Sequence, residues 1–317
     1  SLSISTKKNK NLFLASPRGF CAGVERAIKI VEQALKLYGK PVYVKHEIVH
    51  NKHVVKRLAN AGAIFVEDLN SVPKNANIIF SAHGVAKNVS ESAFNNKLTV
   101  FDATCPLVTK VHLEALKLHN NGYHIFLIGH DGHPEIEGTR GQVPEESITL
   151  IQTINEAENV EAPSNNLAWL SQTTLSVDDT KEIVSVLNRR FPSIHGPKKG
   201  DICYATTNRQ QAVKEIAPTV DIMLIVGSEN SSNSQRLVEV AQKAGCQKSF
   251  LISDVNYINW KEIDQVDNIG LSSGASAPEI LIEDIRNKFS ELYNTKEIQN
   301  HSIQENVYFK LPKILDK

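Results

Sequence analysis

The sequence predicts an α/β fold built from three repeated parallel-sheet units. Strand-like apolar runs alternate with helix-like stretches along most of the chain, the pattern of parallel sheets covered by helices on both faces. Three isolated cysteines mark a repeat within that alternation. Cys21, Cys105 and Cys203 each close a strand-like run (LFLASPRGFC, LTVFDATC, DICYATTN) and precede a helix-like stretch. A polar loop follows 29, 28 and 28 residues later, at His50, His133 and Ser231. A further strand in each copy, IIFSAHG, LAWLSQTT and IGLSSGAS, delivers His83, Thr173 and Ser276. A chain written three times is expected to fold as a pseudo-threefold body whose three thiols and six polar loops converge on one axis.

In the first copy LFLAS reads as a strand, and apolar residues at 24, 27, 28, 31, 35 and 38 predict a helix over Ala22–Tyr38, closed by Gly39. PVYV is a strand, Asn51–Ala61 a helix stopped by Gly62, and AIFV and NIIFSAHG are two more strands. In the second copy TVFDATC leads into a helix that starts at Pro106, a favoured first helical position, and ends near Gly122, before the strand HIFLIG. The third copy is expected to hold a strand ICYATT, a helix from about Asn208, a strand DIMLIVGS and a helix from about Ser234. The repeats divide at 11–97, 98–197 and 198–288, with 289–317 as a C-terminal strap. Ser1–Lys10 is polar and is expected to be a disordered lead-in.

Composition limits the function classes. Lys and Arg together equal Asp and Glu, so the zero formal charge provides no field that steers the chain to nucleic acid or an anionic membrane. No apolar run reaches transmembrane length and no apolar signal segment opens the chain. The chain begins with Ser, which reads as loss of the initiator end. Four cysteines without framework spacing predict a reducing compartment and use as ligands or catalysts rather than as disulfides. In α/β folds ligands bind beyond the carboxyl ends of the strands, where these polar loops lie.

A cysteine just before a helix N-terminus sits in positive potential that favours the thiolate, the form that ligates metal. Taken singly, each cysteine reads first as a small buried hydrophobe, and Cys246, which has no counterpart in the other copies, is read that way. Symmetric placement separates the other three. Structural zinc usually brings a C-x-x-C knuckle and four closed ligands, and neither is present. Three thiolates without a fourth protein donor suit an iron–sulfur cluster with one open iron, able to act as a Lewis acid. His50, His83, His133, Ser231, Ser232, Asn233 and Ser276 form a donor set for an anion. Glu135, two residues after His133, is either a proton donor in a closed pocket or an ordinary acid in a helix's first turn.

One rival motif is present. His46-Glu47-Ile48-Val49-His50 spells H-E-x-x-H, which on a helix would bind zinc for a metalloprotease. A strand before it and a helix start at Asn51 place both histidines in a turn instead, and the third-copy counterpart of His50 is a serine. A non-catalytic electron carrier is disfavoured because carriers ligate every iron. Dinucleotide and P-loop fingerprints are absent, so electrons are expected from a separate protein.

SPRGFCAGVERAI, VHNKHVV, SAHGV, DATCPLV, GHPEIEGT, SQTTLSVDDT, DICYATTNRQ, GSENSSNSQRL and GASAP resemble, in order and spacing, the signatures of the 4-hydroxy-3-methylbut-2-enyl diphosphate reductase family, from about Leu12 to Ile285. The resemblance implies three pseudo-repeated parallel-sheet α/β domains in a trefoil around one central 4Fe-4S cluster held by three Cys: Cys21, Cys105 and Cys203. It implies Glu135 as proton donor, Thr173 and His133 as the hydroxyl-side relay, and His50, His83, His133, Ser231, Ser232, Asn233 and Ser276 as the diphosphate site. The implied reaction, the last step of the methylerythritol phosphate route, uses two electrons and two protons to remove the substrate hydroxyl as water, giving isopentenyl and dimethylallyl diphosphate. The implied partners are a small-molecule diphosphate and an electron-donor protein of ferredoxin or flavodoxin type, with no nucleic acid and no membrane. The implied compartment is bacterial cytoplasm or the stroma of a plastid-type organelle such as apicoplast or chloroplast, without secretion. Departures from the family pattern fall at the Ser272-Ser273 pair and at Gln235, neither of them a mapped ligand.

Overall fold

The computed structural model describes residues 6–300 and 303–316. In chain order its elements are β1 (Asn9–Leu14), α1 (Ala22–Tyr38), β2 (Val42–Lys45), α2 (Lys52–Asn60), β3 (Ala63–Val66), β4 (Asn77–Phe80), α3 (Lys87–Asn95) and β5 (Thr99–Asp102). There follow α4 (Pro106–Asn120), β6 (His124–Ile128), α5 (Pro134–Arg140), β7 (Ile148–Ile151), α6 (Ile154–Asn159), β8 (Leu167–Ser171) and α7 (Val177–Arg190). The last third holds α8 (Tyr204–Ile216), β9 (Ile222–Val226), α9 (Ser232–Lys243), β10 (Ser249–Ile252), α10 (Trp260–Asp264), β11 (Asn268–Ser273), α11 (Glu279–Leu292) and β12 (Asn294–Gln299).

The strands form three wholly parallel sheets, in the orders β10-β9-β11-β1-β12, β3-β2-β4-β5 and β7-β6-β8. By contact the chain divides into two compact units, one made of the residues up to Cys21 with Tyr204–Val307, the other of Ala22–Cys203 with the residues from Tyr308 onward. The first unit holds the five-stranded sheet and the second the other two. Among the described residues no helix is long and apolar enough to cross a membrane.

The sheet orders reveal a cyclic displacement. β1, which opens the first repeat, pairs with β11 of the third, Leu14 opposite Leu271. β5, which opens the second repeat, pairs with β4 of the first, Phe80 opposite Asp102. The chain leading into the third repeat runs beside β8 of the second, where His195, at the end of the second repeat, bridges to Ala168 and the Asp201 carboxylate, at the start of the third, accepts the Ser171 N–H at 2.9 Å. Each repeat thus lends its opening segment to the sheet of the repeat before it.

Local chemistry sets the element ends. Asn51 caps α2, its Oδ1 accepting from the N–H groups of His53 and Val54. Gly39 and Gly62 take φ of +73° and +117° after their helices, a region open to glycine at little cost. In the first unit Leu12, Leu14, Leu224, Leu271, Ile282 and Phe289 are buried in one core, and each such side chain contributes about 1.5–3 kcal/mol.

Three expectations are corrected. The lead-in does not extend to Lys10: Asn9 and Lys10 open β1, and Lys10 is buried with Nζ donating to the Asp264 carbonyl at 3.0 Å, while residues 1–5 lie outside the described residues. ICYATT is not a strand: residues 201–202 bend and α8 starts at Tyr204, four residues before the expected start, because Ala205, Thr206, Arg209, Gln210 and Val213 form a buried helical face. The segment after Lys288 is not all strap. α11 runs on to Leu292, and β12 joins the sheet edge with Leu14 opposite Gln299. Residues 308–316 do pack on the second unit, where Arg26 Nε donates to the Lys310 carbonyl and Leu315 is buried.

Candidate active site

Each of the three cysteines lies where the chain enters a helix, and none of the four cysteines is in a disulfide. Their backbones are tied in a common way. The Cys21 N–H donates to the carbonyl of Ala275, next to Ser276; that of Cys105 to Ala82, next to His83; that of Cys203 to Thr173 itself. The distances are 3.3, 3.0 and 3.1 Å. The backbone of each of these cysteines is therefore tied to the strand-end loop of the preceding repeat that carries a predicted substrate residue. Cys21, Cys105 and Cys203 are half-buried, whereas Cys246 is 2% exposed in the core with Val240 and Met223, where burial pushes its thiol up. The core reading of Cys246 holds.

The donor set fits a bulky thiolate-bound group in one further respect. A Cβ on Gly23 would stand 2.7 Å from Cys105 Sγ, so the absence of a side chain there is what gives that sulfur its room.

In the second unit four imidazoles gather. His50 and His83 stack with ring centroids 3.9 Å apart, and His133 meets them edge-on at 5.5 and 5.8 Å. His46 joins from the same turn as His50, its Nε2 2.7 Å from His50 Nε2. Burial, with the charges of His50, His133 and His46, holds His83 well below the ordinary imidazole range, so it enters as a neutral ring. Ser81 Oγ lies 3.2 Å from its Nδ1.

The H-E-x-x-H segment is a turn, as expected, with His46 at φ +64°. His46, His50 and His83 bring ring nitrogens within 4.8 Å of one another. Yet two nitrogens on one tetrahedral zinc, at bonds of about 2.0–2.1 Å, stand roughly 3.3 Å apart. The 2.7 Å contact is instead a hydrogen bond with one proton between the rings.

His133 caps α5, its Nδ1 accepting the Glu135 N–H at 3.1 Å, which sets Glu135 in the first turn. Glu135 is thus an acid of a helix's first turn that is also enclosed. It is 3% exposed, and its carboxylate accepts from Thr173 twice, from N–H at 2.6 Å and from Oγ1 at 2.9 Å. Burial pushes its carboxyl up to about 7 against the two Thr173 hydrogen bonds, with the Asp201 charge adding to the rise. Asp201 is itself raised to about 6, chiefly by burial. A buried carboxyl raised to about 7 beside a hydroxyl keeps a substantial protonated fraction near neutral pH, which is what a proton donor needs.

In the first unit the remaining predicted residues meet at the start of α9. Ser231 caps the helix, its Oγ accepting the Ser234 N–H at 3.2 Å, and Ser276 Oγ lies 3.5 Å from Ser231 Oγ. Asn233 Oδ1 accepts the Ala275 N–H at 2.8 Å while its amide donates to Thr206 Oγ1. Ser232 is the first residue of the helix. Hydroxyls, an amide and a helix N-terminus together suit phosphate oxygens.

Sequence reading missed two residues. Arg209 is 1% exposed; it donates to the Gly19 and Phe20 carbonyls and pairs with Glu305 at 3.0 Å, bracing the loop that ends in Cys21. Asp201, two residues before Cys203, holds the end of β8 and biases Glu135. The only sequence signal for either was its place inside DICYATTNRQ.

Parallel sheets whose strand-end loops carry thiols, imidazoles and a buried acid define an α/β enzyme with its chemistry beyond the strand ends. A family model described as LytB protein matches residues 12–290, and the chain belongs to that family. A protein of Beijerinckia indica called 4-hydroxy-3-methylbut-2-enyl diphosphate reductase is 52% identical over 314 residues, 98% of each chain. One of Rhodopseudomonas palustris, called 4-hydroxy-3-methylbut-2-enyl diphosphate reductase 2, is 52% identical over 311 residues, 98% of this chain and 97% of the other. The solved structure of the E-1-hydroxy-2-methyl-but-2-enyl-4-diphosphate reductase from Plasmodium falciparum superposes with a TM-score of 0.92 at 40% identity, covering 97% of both chains. A second solved structure, of the reductase described as the terminal enzyme of the non-mevalonate pathway, gives 0.64 at 30% identity, over 89% of this chain and 99% of that one.

Proposed function

We propose that this chain is a 4-hydroxy-3-methylbut-2-enyl diphosphate reductase. It removes the allylic hydroxyl of its substrate as water with two electrons and two protons, giving isopentenyl and dimethylallyl diphosphate. Relatedness to the named reductases over the whole chain supports the reaction. The observation that carries the site is the tie of Cys21, Cys105 and Cys203 to the loops of Ser276, His83 and Thr173. In this reading those cysteines hold one 4Fe-4S cluster, which when bound supplies electrons and an iron without a protein ligand toward the substrate oxygen.

The protein's own groups divide the remaining work. His50, His83 and His133 with Ser231, Ser232, Asn233 and Ser276 bind the diphosphate. Thr173 orients the hydroxyl end, and Glu135 holds at its carboxyl the proton that leaves with the oxygen; His133, whose ring fixes the Glu135 backbone, belongs to the same relay. Reduced thiols suit a bacterial cytoplasm or a plastid-type stroma. The test is anaerobic turnover of the diphosphate by iron- and sulfide-loaded protein; a loaded protein that converts none of it overturns the proposal.

His50→Ala and Ser276→Ala should each weaken substrate binding about tenfold to a hundredfold while the cluster still assembles. A charge-assisted hydrogen bond contributes about 1.5–3 kcal/mol. Titration of substrate into the loaded variants checks this, and unchanged affinity in both would place the anion elsewhere.

For the electron donor we propose an acidic protein of ferredoxin or flavodoxin type. Supporting it is a groove of about 930 Å³ on the second unit, which includes Pro106, the neighbour of Cys105. Arg26, Lys110, Lys117, Lys310 and Lys313 line it against only Asp102 and Glu114, in a chain with no net charge, and Leu113 stands 62% exposed there. Complementary charge mainly raises association rates and is screened by salt. The double variant Lys110→Glu/Lys117→Glu should raise the KM for such a donor about tenfold at low salt, less at high salt, and leave the rate with a small artificial reductant unchanged. Equal loss with both reductants would move the donor's site away from this groove.

A further inference from the structure

The H-E-x-x-H turn contains one histidine that the proposed reaction does not use. His46 lies in the left-handed region at φ +64°, a conformation uncommon for a residue with a side chain, and the turn that requires it aims both ring nitrogens at partners. Nδ1 is 2.9 and 3.0 Å from the two carboxylate oxygens of Glu67, and Nε2 is 2.7 Å from Nε2 of His50. His50 is 5% exposed, whereas the Glu67 side chain is 74% exposed. The three groups therefore form a chain from solvent to the buried ring.

The order of protons along that chain follows from what each group can do. A carboxylate only accepts, so Nδ1 of His46 carries a proton. One further proton lies between the two Nε2 atoms. With His50 Nε2 engaged by His46, whatever hydrogen bond His50 gives an anion comes from Nδ1. For Nδ1 to donate, its ring must carry a proton there, and that tautomer is selected when His50 Nε2 is the acceptor in its contact with His46 Nε2. The carboxylate beside His46 fixes the orientation of its ring, as carboxylates orient histidines in metal and catalytic sites.

We propose that His46, held by Glu67, is a positioning residue for diphosphate binding: it fixes the ring of His50 and, through the contact at Nε2, the tautomer that His50 presents to the anion. The inference rests on the reading of His50 as a diphosphate ligand.

The experiment uses the cluster-loaded protein, with substrate KM and kcat from steady-state rates and calorimetric affinity for inorganic diphosphate as a second probe. His46→Asn is the informative variant. Asparagine tolerates the left-handed conformation and keeps a short donor for Glu67, but it does not reach His50. The expected result is a KM about tenfold higher, diphosphate affinity lower by a similar factor, kcat within about twofold, and an unchanged cluster spectrum. Glu67→Gln, a change on an exposed side chain that leaves the fold intact, should raise KM about threefold. In a His50→Ala background, His46→Asn should add nothing, because its effect passes through His50.

If His50→Ala weakens binding but His46→Asn and Glu67→Gln do not, the positioning role is overturned and the reading of the diphosphate site stands. Full additivity of His46→Asn with His50→Ala also overturns the role, since a separate structural effect adds and a relayed one does not. If His50→Ala itself leaves both affinities unchanged, the diphosphate reading fails at His50 and the inference falls with it.

Discussion

Replacing Cys21, Cys105 or Cys203 singly with serine is expected to abolish the brown absorption and the iron and sulfide content of protein purified without oxygen, and with them all turnover. Only three protein ligands exist in the proposed site, and serine oxygen is a poor substitute for thiolate on iron. Cys246→Ser should leave the colour intact, because that thiol is packed among Val240, Ala241 and Met223 in a core. Gly23→Ala adds a separate reading. Its new methyl would meet Cys105 Sγ at 2.7 Å, and a sulfur with nothing to hold simply rotates away, whereas a ligating sulfur cannot. Thermal stability close to that of the parent with reduced iron content is therefore expected. Stoichiometric zinc without iron or sulfide in the parent would overturn the cluster and revive the hydrolase reading of the H-E-x-x-H turn. Loss of the cluster in Cys246→Ser as severe as in the other three would show the trio to be misassigned.

The common placement of Cys21, Cys105 and Cys203 at helix entries was legible because a repeat constrains three places at once. The bounds of α1 were legible from six apolar positions and a glycine, and the start of α4 from Pro106. Sheet membership was not. β1 pairs with β11 and β12, more than 250 residues away, and no local pattern records such a partner. β12, NTKEIQ, is polar and has no fully buried residue; it is a strand only because the edge of β1 supplies its hydrogen bonds. Tyr204-Ala205-Thr206-Thr207 reads as strand by propensity, but packing of Thr206, Arg209 and Val213 on one face overrides it.

At the site, the sequence delivered residues in loops but not their mutual geometry. The stacking of His50 on His83, the cap that His133 gives to Glu135, and the brace from Arg209 to the Gly19 and Phe20 carbonyls depend on rotamers and on approach across the chain. Arg209 is the clearest case. Charge predicts the surface for an arginine, and only Glu305 together with carbonyls left by the turn before Cys21 makes its burial tolerable.

Glu135→Gln is expected to retain cluster and substrate affinity and to lose at least about a hundredfold in turnover. Hydroxide is a poor leaving group, so expulsion of the oxygen as water needs a proton at the moment the bond breaks, and a positioned general acid supplies about 10²–10⁴-fold. Glutamine keeps the side-chain length and an oxygen to accept the Thr173 N–H, which now stands 2.6 Å from Oε1, but it has no carboxylic proton. The pH profile adds a second test. The acid is active when protonated, and burial raises Glu135 to about 7, so parent kcat should fall as pH rises through about 7. The limb belongs to Glu135 and Asp201 jointly, since each carboxylate's charge opposes ionisation of the other. In Glu135→Gln that limb should vanish along with the rate. Substrate titration into the oxidised variant followed by reduction with a strong artificial donor separates binding from chemistry. Turnover within a few-fold of the parent, or an alkaline limb that persists unchanged, would remove Glu135 from the role of acid and leave His133 as the next group in line.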